Sequence, residues 1–184
     1  PIYREQADYY EGQLTMFETM KKVDFYCEAA EDFYYDGYED TFDVIFTSPP
    51  YFNVERYSHD DNQSWVRYKD IDGWNTQFLQ KALDNMLPTL KSGGKLCVNI
   101  SDVYSPSAGK KTWSKICDPM NDFIQSYGGM EYKGCIGMEM AKRPNSGGAG
   151  TAKDKTQYSE ESLQLAEETK NKRFCEPIWI WEKK

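Results

Sequence analysis

The segment Asp43-Val44-Ile45-Phe46-Thr47-Ser48-Pro49-Pro50-Tyr51-Phe52 changes character halfway along its length. Val44, Ile45 and Phe46 form a short apolar run of β-favouring residues, as in a strand covered on both faces. Pro49 and Pro50 lack backbone N–H groups, so a sheet ladder stops there. Pro50 also holds Pro49 in an extended conformation. The result is a stiff turn at the carboxyl end of a strand, where open α/β sheets bind their ligands. The turn presents a hydroxyl (Ser48), proline carbonyls and an aromatic face (Tyr51).

These groups suit the methylation of an exocyclic amine on a planar base. Such an amine is a poor nucleophile because its lone pair is delocalised into the ring. Acceptors on its hydrogens tip the nitrogen toward tetrahedral geometry and free the lone pair. Ser48 Oγ and the Pro49 carbonyl are the candidate acceptors, with Tyr51 stacked on the ring. Preorganised dipoles need little reorganisation during reaction, and alignment with a donor supplies the proximity effect. Stacking adds roughly 1–3 kcal/mol per base.

Thr47-Ser48-Pro49-Pro50-Tyr51 resembles motif IV of the amino-group DNA methyltransferases. In that family Asp, Asn or Ser precedes Pro-Pro and an aromatic residue. The resemblance implies S-adenosyl-L-methionine as cofactor and cytosine N4 or adenine N6 of a flipped DNA base as acceptor. Ser at the first position leans toward cytosine N4. By this resemblance Ser48, Pro49, Pro50 and Tyr51 are the expected catalytic residues. Phe52, Asn53 and Tyr57 are the expected substrate contacts. Glu28-Ala29-Ala30-Glu31-Asp32-Phe33 resembles motif III, which implies that Glu28 and Ala29 flank the cofactor's adenine. An acidic helix N-terminus accounts for Glu31 and Asp32 equally well. RNA-base or protein-amide methylation, and a non-catalytic nucleic-acid-binding remnant of the fold, are the alternative readings.

With 184 residues, 39% of them hydrophobic, the chain is long enough for one domain with a substantial core. The sequence shows no signal peptide and no apolar run of membrane-spanning length. Its five cysteines are widely spaced, and His59 is the only histidine. A zinc site or disulfide framework is therefore not expected, and a reducing cytoplasm fits. The net charge of −8 argues against a general nucleic-acid binder, so DNA contact requires a local basic surface. Lys110, Lys111 and Lys115 form one basic cluster, and residues 142–173 contain a looser one. A solvated face is the simpler account of each.

Along the chain, Tyr10, Leu14 and Phe17 predict a helix from Asp8 to Lys22. Val23 to Ala29 alternates as a strand. Residues 53–64 form a polar loop over the proposed site, with His59 exposed in it. Trp74, Phe78, Leu79, Leu83, Met86, Leu87 and Leu90 mark an amphipathic helix, kinked at Pro88 and capped by Ser92-Gly93-Gly94. Lys95 to Ile100 is the next strand, with Asp102 expected to cap a turn. Residues 105–109 read as a loop. A helix carrying Trp113, Ile116, Met120, Ile124 and Tyr127 follows, interrupted or restarted at Asp118-Pro119. Strands over Met130–Met140 and Glu176–Trp181 flank residues 141–173, which read as a target-recognition insertion or a flexible surface loop.

This order predicts a Rossmann-like methyltransferase sheet with helices on both faces, incomplete at its N-terminus. The family's cofactor motif is a glycine-rich turn after a strand, and no stretch of this sequence has that context. The chain is therefore expected to be the carboxyl-terminal part of a longer enzyme, its cofactor site completed by a missing segment or partner. The expected outcome is that calorimetric titration of this 184-residue polypeptide shows weak or no binding of S-adenosylmethionine. A micromolar affinity would contradict this reading.

Overall fold

A computed structural model describes residues 24, 26–107, 110–139 and 175–184. The helix expected over residues 8–22 and the insertion 141–173 lie outside them. The first strand, β1 (Phe42–Thr47), runs parallel to β2 (Leu90–Asn99), with Ile45 opposite Leu96 and Thr47 opposite Val98. Parallel neighbours need a long crossover. After a single turn, α1 (Ser64–Arg67), a helical rod over residues 71–89 supplies it, here called α2. The Asp70 carboxylate caps its start by accepting from Gly73 N–H at 2.8 Å. The rod passes from Ile71–Gly73 through a π-helical stretch, Trp74–Gln80, into Lys81–Met86, and tightens to a 3-10 turn at Leu87–Thr89. Pro88 lies in that final turn, where the sequence predicts a kink.

The sheet continues with two antiparallel strands. β5 (Met130–Glu139) pairs with β6 (Cys175–Lys183), which pairs with β2, giving the order β1-β2-β6-β5. Leu96 faces Trp181 and Val98 faces Trp179 across the β2–β6 ladder, so their side chains share one face. That face packs on Trp74, Leu79, Leu83 and Leu87 of α2, and on Met120 and Ile124 of helix α3 (Cys117–Tyr127). Trp179 and Trp181 also satisfy their indole N–H groups, as buried indoles usually do. Trp179 donates to the Ile100 carbonyl and Trp181 to Asn121 Oδ1, each at 3.0 Å. Lys183 Nζ donates to the Leu90 carbonyl at 2.7 Å and the Pro88 carbonyl at 3.3 Å, tying the last strand to the end of α2.

The structure corrects several sequence expectations. Among the described residues the helices lie on one face of the sheet rather than both. Accordingly β1 is covered on one side only: Ile45 packs against the core, whereas Val44 and Phe46 are 58% and 62% exposed. The outer face continues through Ile136, also largely exposed. Residues 26–29 are irregular rather than a strand, and no helix begins at Glu31. Gly93 and Gly94 do not cap α2. They form an irregularity inside β2, between the pairs Phe42–Leu90 and Val44–Lys95. Gly93 has φ +78°, and a Cβ on Gly94 would come within 2.9 Å of the Leu90 side chain and the Lys91 carbonyl.

Residues read as a loop and an early helical turn instead form a hairpin, β3 (Val103–Ser107) and β4 (Lys110–Ser114). Helix α3 starts only at Cys117. Its cap is the buried Asp102, whose Oδ1 accepts from Ile116 N–H at 2.8 Å and Cys117 N–H at 3.0 Å. Lys115 Nζ lies 3.1 Å from the other Asp102 oxygen and 3.4 Å from Asp118.

The turn at residues 29–32 is held by charge. Arg67 donates at 2.8 Å to both the buried Glu31 and the exposed Asp32. Tyr68 OH reaches Glu31 at 3.2 Å, Lys81 reaches Asp32 at 3.1 Å, and Asn85 donates to the Glu31 carbonyl. The hydrogen bonds from Arg67 and then Lys81 hold the Asp32 carboxyl below its usual range. A depressed carboxylate stabilises the fold above its unfolded pKa and loses that contribution as pH falls through the folded value.

Two outcomes are expected. Asp32→Asn should lower the thermal midpoint at neutral pH, and the difference from wild type should shrink progressively as pH falls below about 4. Leu96→Ala should cost about 2–5 kcal/mol in urea unfolding, whereas Val44→Thr on the open face should stay within about 0.5 kcal/mol.

Candidate functional site

The β1 ladder stops at Thr47, and the next residues form a turn fixed by backbone bonds. Phe52 N–H donates to the Pro50 carbonyl at 3.0 Å, and Val54 N–H to the Tyr51 carbonyl at 2.9 Å. Phe52 takes φ +44°, a left-handed conformation that costs a bulky residue energy. Its burial against Trp74, with ring centroids 6.1 Å apart, holds it there. Pro49 is buried, yet its carbonyl accepts no hydrogen bond among the described residues. Of the two proline carbonyls, one is therefore occupied and one has no hydrogen-bond partner among the described residues.

Ser48 is exposed, and its hydroxyl donates to Asn99 Oδ1 at 3.4 Å. Tyr51 is half-buried at the rim of the core. Its backbone N–H donates to Glu55 Oε2 at 3.2 Å. Its hydroxyl is shared between Glu176 Oε2 at 3.3 Å and the Asn99 carbonyl at 3.5 Å. Burial, reinforced by the Glu176 charge, pushes the Tyr51 phenol far above its ordinary value, so it remains a neutral donor. The residue is thus held at its backbone and at its hydroxyl.

Of the other expected contacts, Phe52 is a core residue at 3% exposure, so its side chain packs and does not reach a substrate. Asn53 is half-buried, and its carbonyl accepts from Arg56. Tyr57 is exposed on the loop, with its hydroxyl donating to Glu55 at 3.0 Å. That loop is folded on itself. Trp65 donates to the Ser58 carbonyl at 3.1 Å, Arg56 lies over the Trp65 ring, and His59 is exposed with its ring edge-on to the same indole. Asn99, Glu55 and Glu176 escaped sequence reasoning. The one available signal was Asn99, a polar residue interrupting the apolar run Leu96-Cys97-Val98 and Ile100.

Glu28 is exposed and Ala29 half-buried, with the Ala29 carbonyl already accepting from Asp32. The neighbouring buried carboxylate, Glu31, is committed to Arg67 and Tyr68. In the first basic cluster Lys115 is paired with Asp102 and Asp118, and the second cluster lies outside the described residues. Among the described residues no group of three acidic, cysteine or histidine side chains is placed to hold a metal ion, and no helix is long and apolar enough to cross a membrane.

Comparison with known proteins follows the same lines. Among solved structures, the chain is similar to TTHA0409 of Thermus thermophilus, proposed to be a DNA modification methylase and solved in complex with S-adenosyl-L-methionine. The TM-score is 0.50 at 16% identity, over 84% of this chain and 53% of that one. The cytosine-N4-specific PvuII DNA methyltransferase aligns with a TM-score of 0.44 at 15% identity, over 84% of this chain and 45% of its own. At 16% identity the first likeness concerns the fold alone. This chain spans about half the length of those proteins. No curated protein matches. A DNA methylase family model covering N6 and N4 amino methylation matches residues 42–184, from the first residue of β1 onward. The chain therefore belongs to the N6/N4 amino-group DNA methylase family, whose members use S-adenosyl-L-methionine.

Proposed function

We propose that this chain carries the base-binding part of an enzyme that methylates an exocyclic amine of a DNA base, with cytosine N4 favoured over adenine N6. The observation that supports this most is the pair of oxygens at the β1 tip: the exposed Ser48 hydroxyl and the adjoining Pro49 carbonyl that nothing else among the described residues occupies. Each takes one hydrogen of the target NH2, pulling the nitrogen out of conjugation. Dipoles already fixed in place do this at little reorganisation cost. Pro50 keeps the turn closed through Phe52, and Tyr51 offers an anchored ring for stacking. When bound, S-adenosylmethionine supplies the electrophilic methyl group. The target base must leave the helix stack, at a cost of a few kcal/mol. Stacking and edge hydrogen bonds offset that cost.

The test is transfer of labelled methyl groups to DNA in which either cytosine or adenine alone can accept. It uses this chain and the complete protein encoded by its reading frame. Transfer to the cytosine-only DNA is expected from the complete protein, with Ser48→Ala lowering kcat by about 10²–10³, the usual loss for a preorganised group facing the reacting atoms. Transfer to adenine only would reassign the base. Methylation of RNA or protein but not DNA would overturn the proposal, as would an undiminished rate in S48A.

A further inference from the structure

We infer that Asn99 is a positioning residue whose side chain fixes Ser48 as a hydrogen-bond acceptor; the inference rests on the amine-methylation reading above. A serine hydroxyl has one proton and two lone pairs, and it rotates to suit its surroundings. It can accept from a substrate amine reliably only if its own proton is engaged elsewhere. Otherwise the rotor spends part of its time donating toward the nitrogen, the wrong polarity for freeing that lone pair.

The structure supplies the missing acceptor, and its orientation follows from the sheet. Asn99 is the last residue of β2 and is 5% exposed. Its Nδ2 donates to the Pro177 carbonyl on β6 at 3.1 Å. The same carbonyl receives Ile100 N–H at 3.3 Å, so two donors converge on it. A carbonyl cannot donate, so the amide group is turned with nitrogen toward β6 and oxygen toward β1. Asn99 Oδ1 then faces Ser48 Oγ at 3.4 Å. Amide oxygen is acceptor only, so the hydroxyl between them must donate to it. Both serine lone pairs are left for the solvent side. The backbone carbonyl of Asn99 meanwhile meets the Tyr51 hydroxyl, so one residue steadies both ends of the motif.

Replacement by a chemically blunt residue tests this if paired with a serine replacement that needs no parking place for a proton. A carboxylate at position 48 accepts without donating. In a two-by-two cycle of Ser48→Asp and Asn99→Leu on the complete protein, Asn99→Leu is expected to lower kcat about tenfold beside serine, with KM within about twofold. The tenfold figure corresponds to one hydrogen bond. Beside S48D the same change should alter kcat less than about twofold, the non-additivity expected of coupled groups. Equal losses in both backgrounds would overturn the inference and reduce Asn99 to a strand-end packing residue.

A second readout does not depend on catalysis. The Ser48 χ1 couplings of this chain in solution are expected to report one dominant rotamer in wild type and averaging in N99L. An identical distribution in both overturns the inference. Absence of methyl transfer from every form counts against the amine-methylation reading itself, and the coupling measurement then decides the role of Asn99 alone. It also decides alone if S48D is inert.

Discussion

The whole arrangement hangs on a ladder that is forced to stop. β1 and β2 pair in parallel as far as Thr47 and Val98. Two prolines then remove the donors that would continue the pairing. β2 reaches one residue further, to Asn99, and its end faces β1 without being bonded into it. That offset lets a strand-end amide and carbonyl turn to side-chain partners, Ser48 and Tyr51. Were the ladder to continue, the Asn99 carbonyl would be spent on backbone and the Ser48 segment would lie flat in the sheet.

From that constraint the rest of the scaffold follows as support. Leu96, Val98 and Ile100 bury one face of β2, which fixes its register and hence where Asn99 ends. Trp179 and Trp181 do the same for β6, so Pro177 and Glu176 arrive beside the tip with their polar atoms aimed at Asn99 and Tyr51. Phe52, strained in backbone but buried against Trp74, anchors the far side of the turn. The Arg67 ion pairs draw the acidic turn at residues 29–32 against the end of α1. The polar groups are held in place because the apolar ones beneath them are buried and close-packed.

Much of this was readable from sequence. Pro-Pro after Val-Ile-Phe marks a strand end whatever surrounds it, and the spacing of Trp74, Phe78, Leu79, Leu83 and Leu87 requires a one-faced helix. What the residues did not disclose was non-local. An apolar run such as Val44-Ile45-Phe46 looks the same whether one face or two are covered. Gly93-Gly94 after a helix looks like a cap until pairing with β1 shows it to be a strand irregularity. Trp113 keeps helical spacing with Ile116 and Met120, yet cross-strand pairing with Tyr104 places it in a hairpin. The contacts that set the site span 51 and 125 residues, Ser48 to Asn99 and Tyr51 to Glu176, and no local pattern encodes them.

The central claim is that one proline carbonyl is open for a substrate amine while its neighbour is occupied. The most direct measurement is the carbonyl ¹³C resonance of each proline as a single-stranded oligonucleotide with one cytosine is added. The account expects the Pro49 signal to move with saturation while Pro50, already bonded to Phe52 N–H, stays in place. A stationary Pro49 signal in the presence of bound oligonucleotide, or equal movement of both prolines, would contradict it.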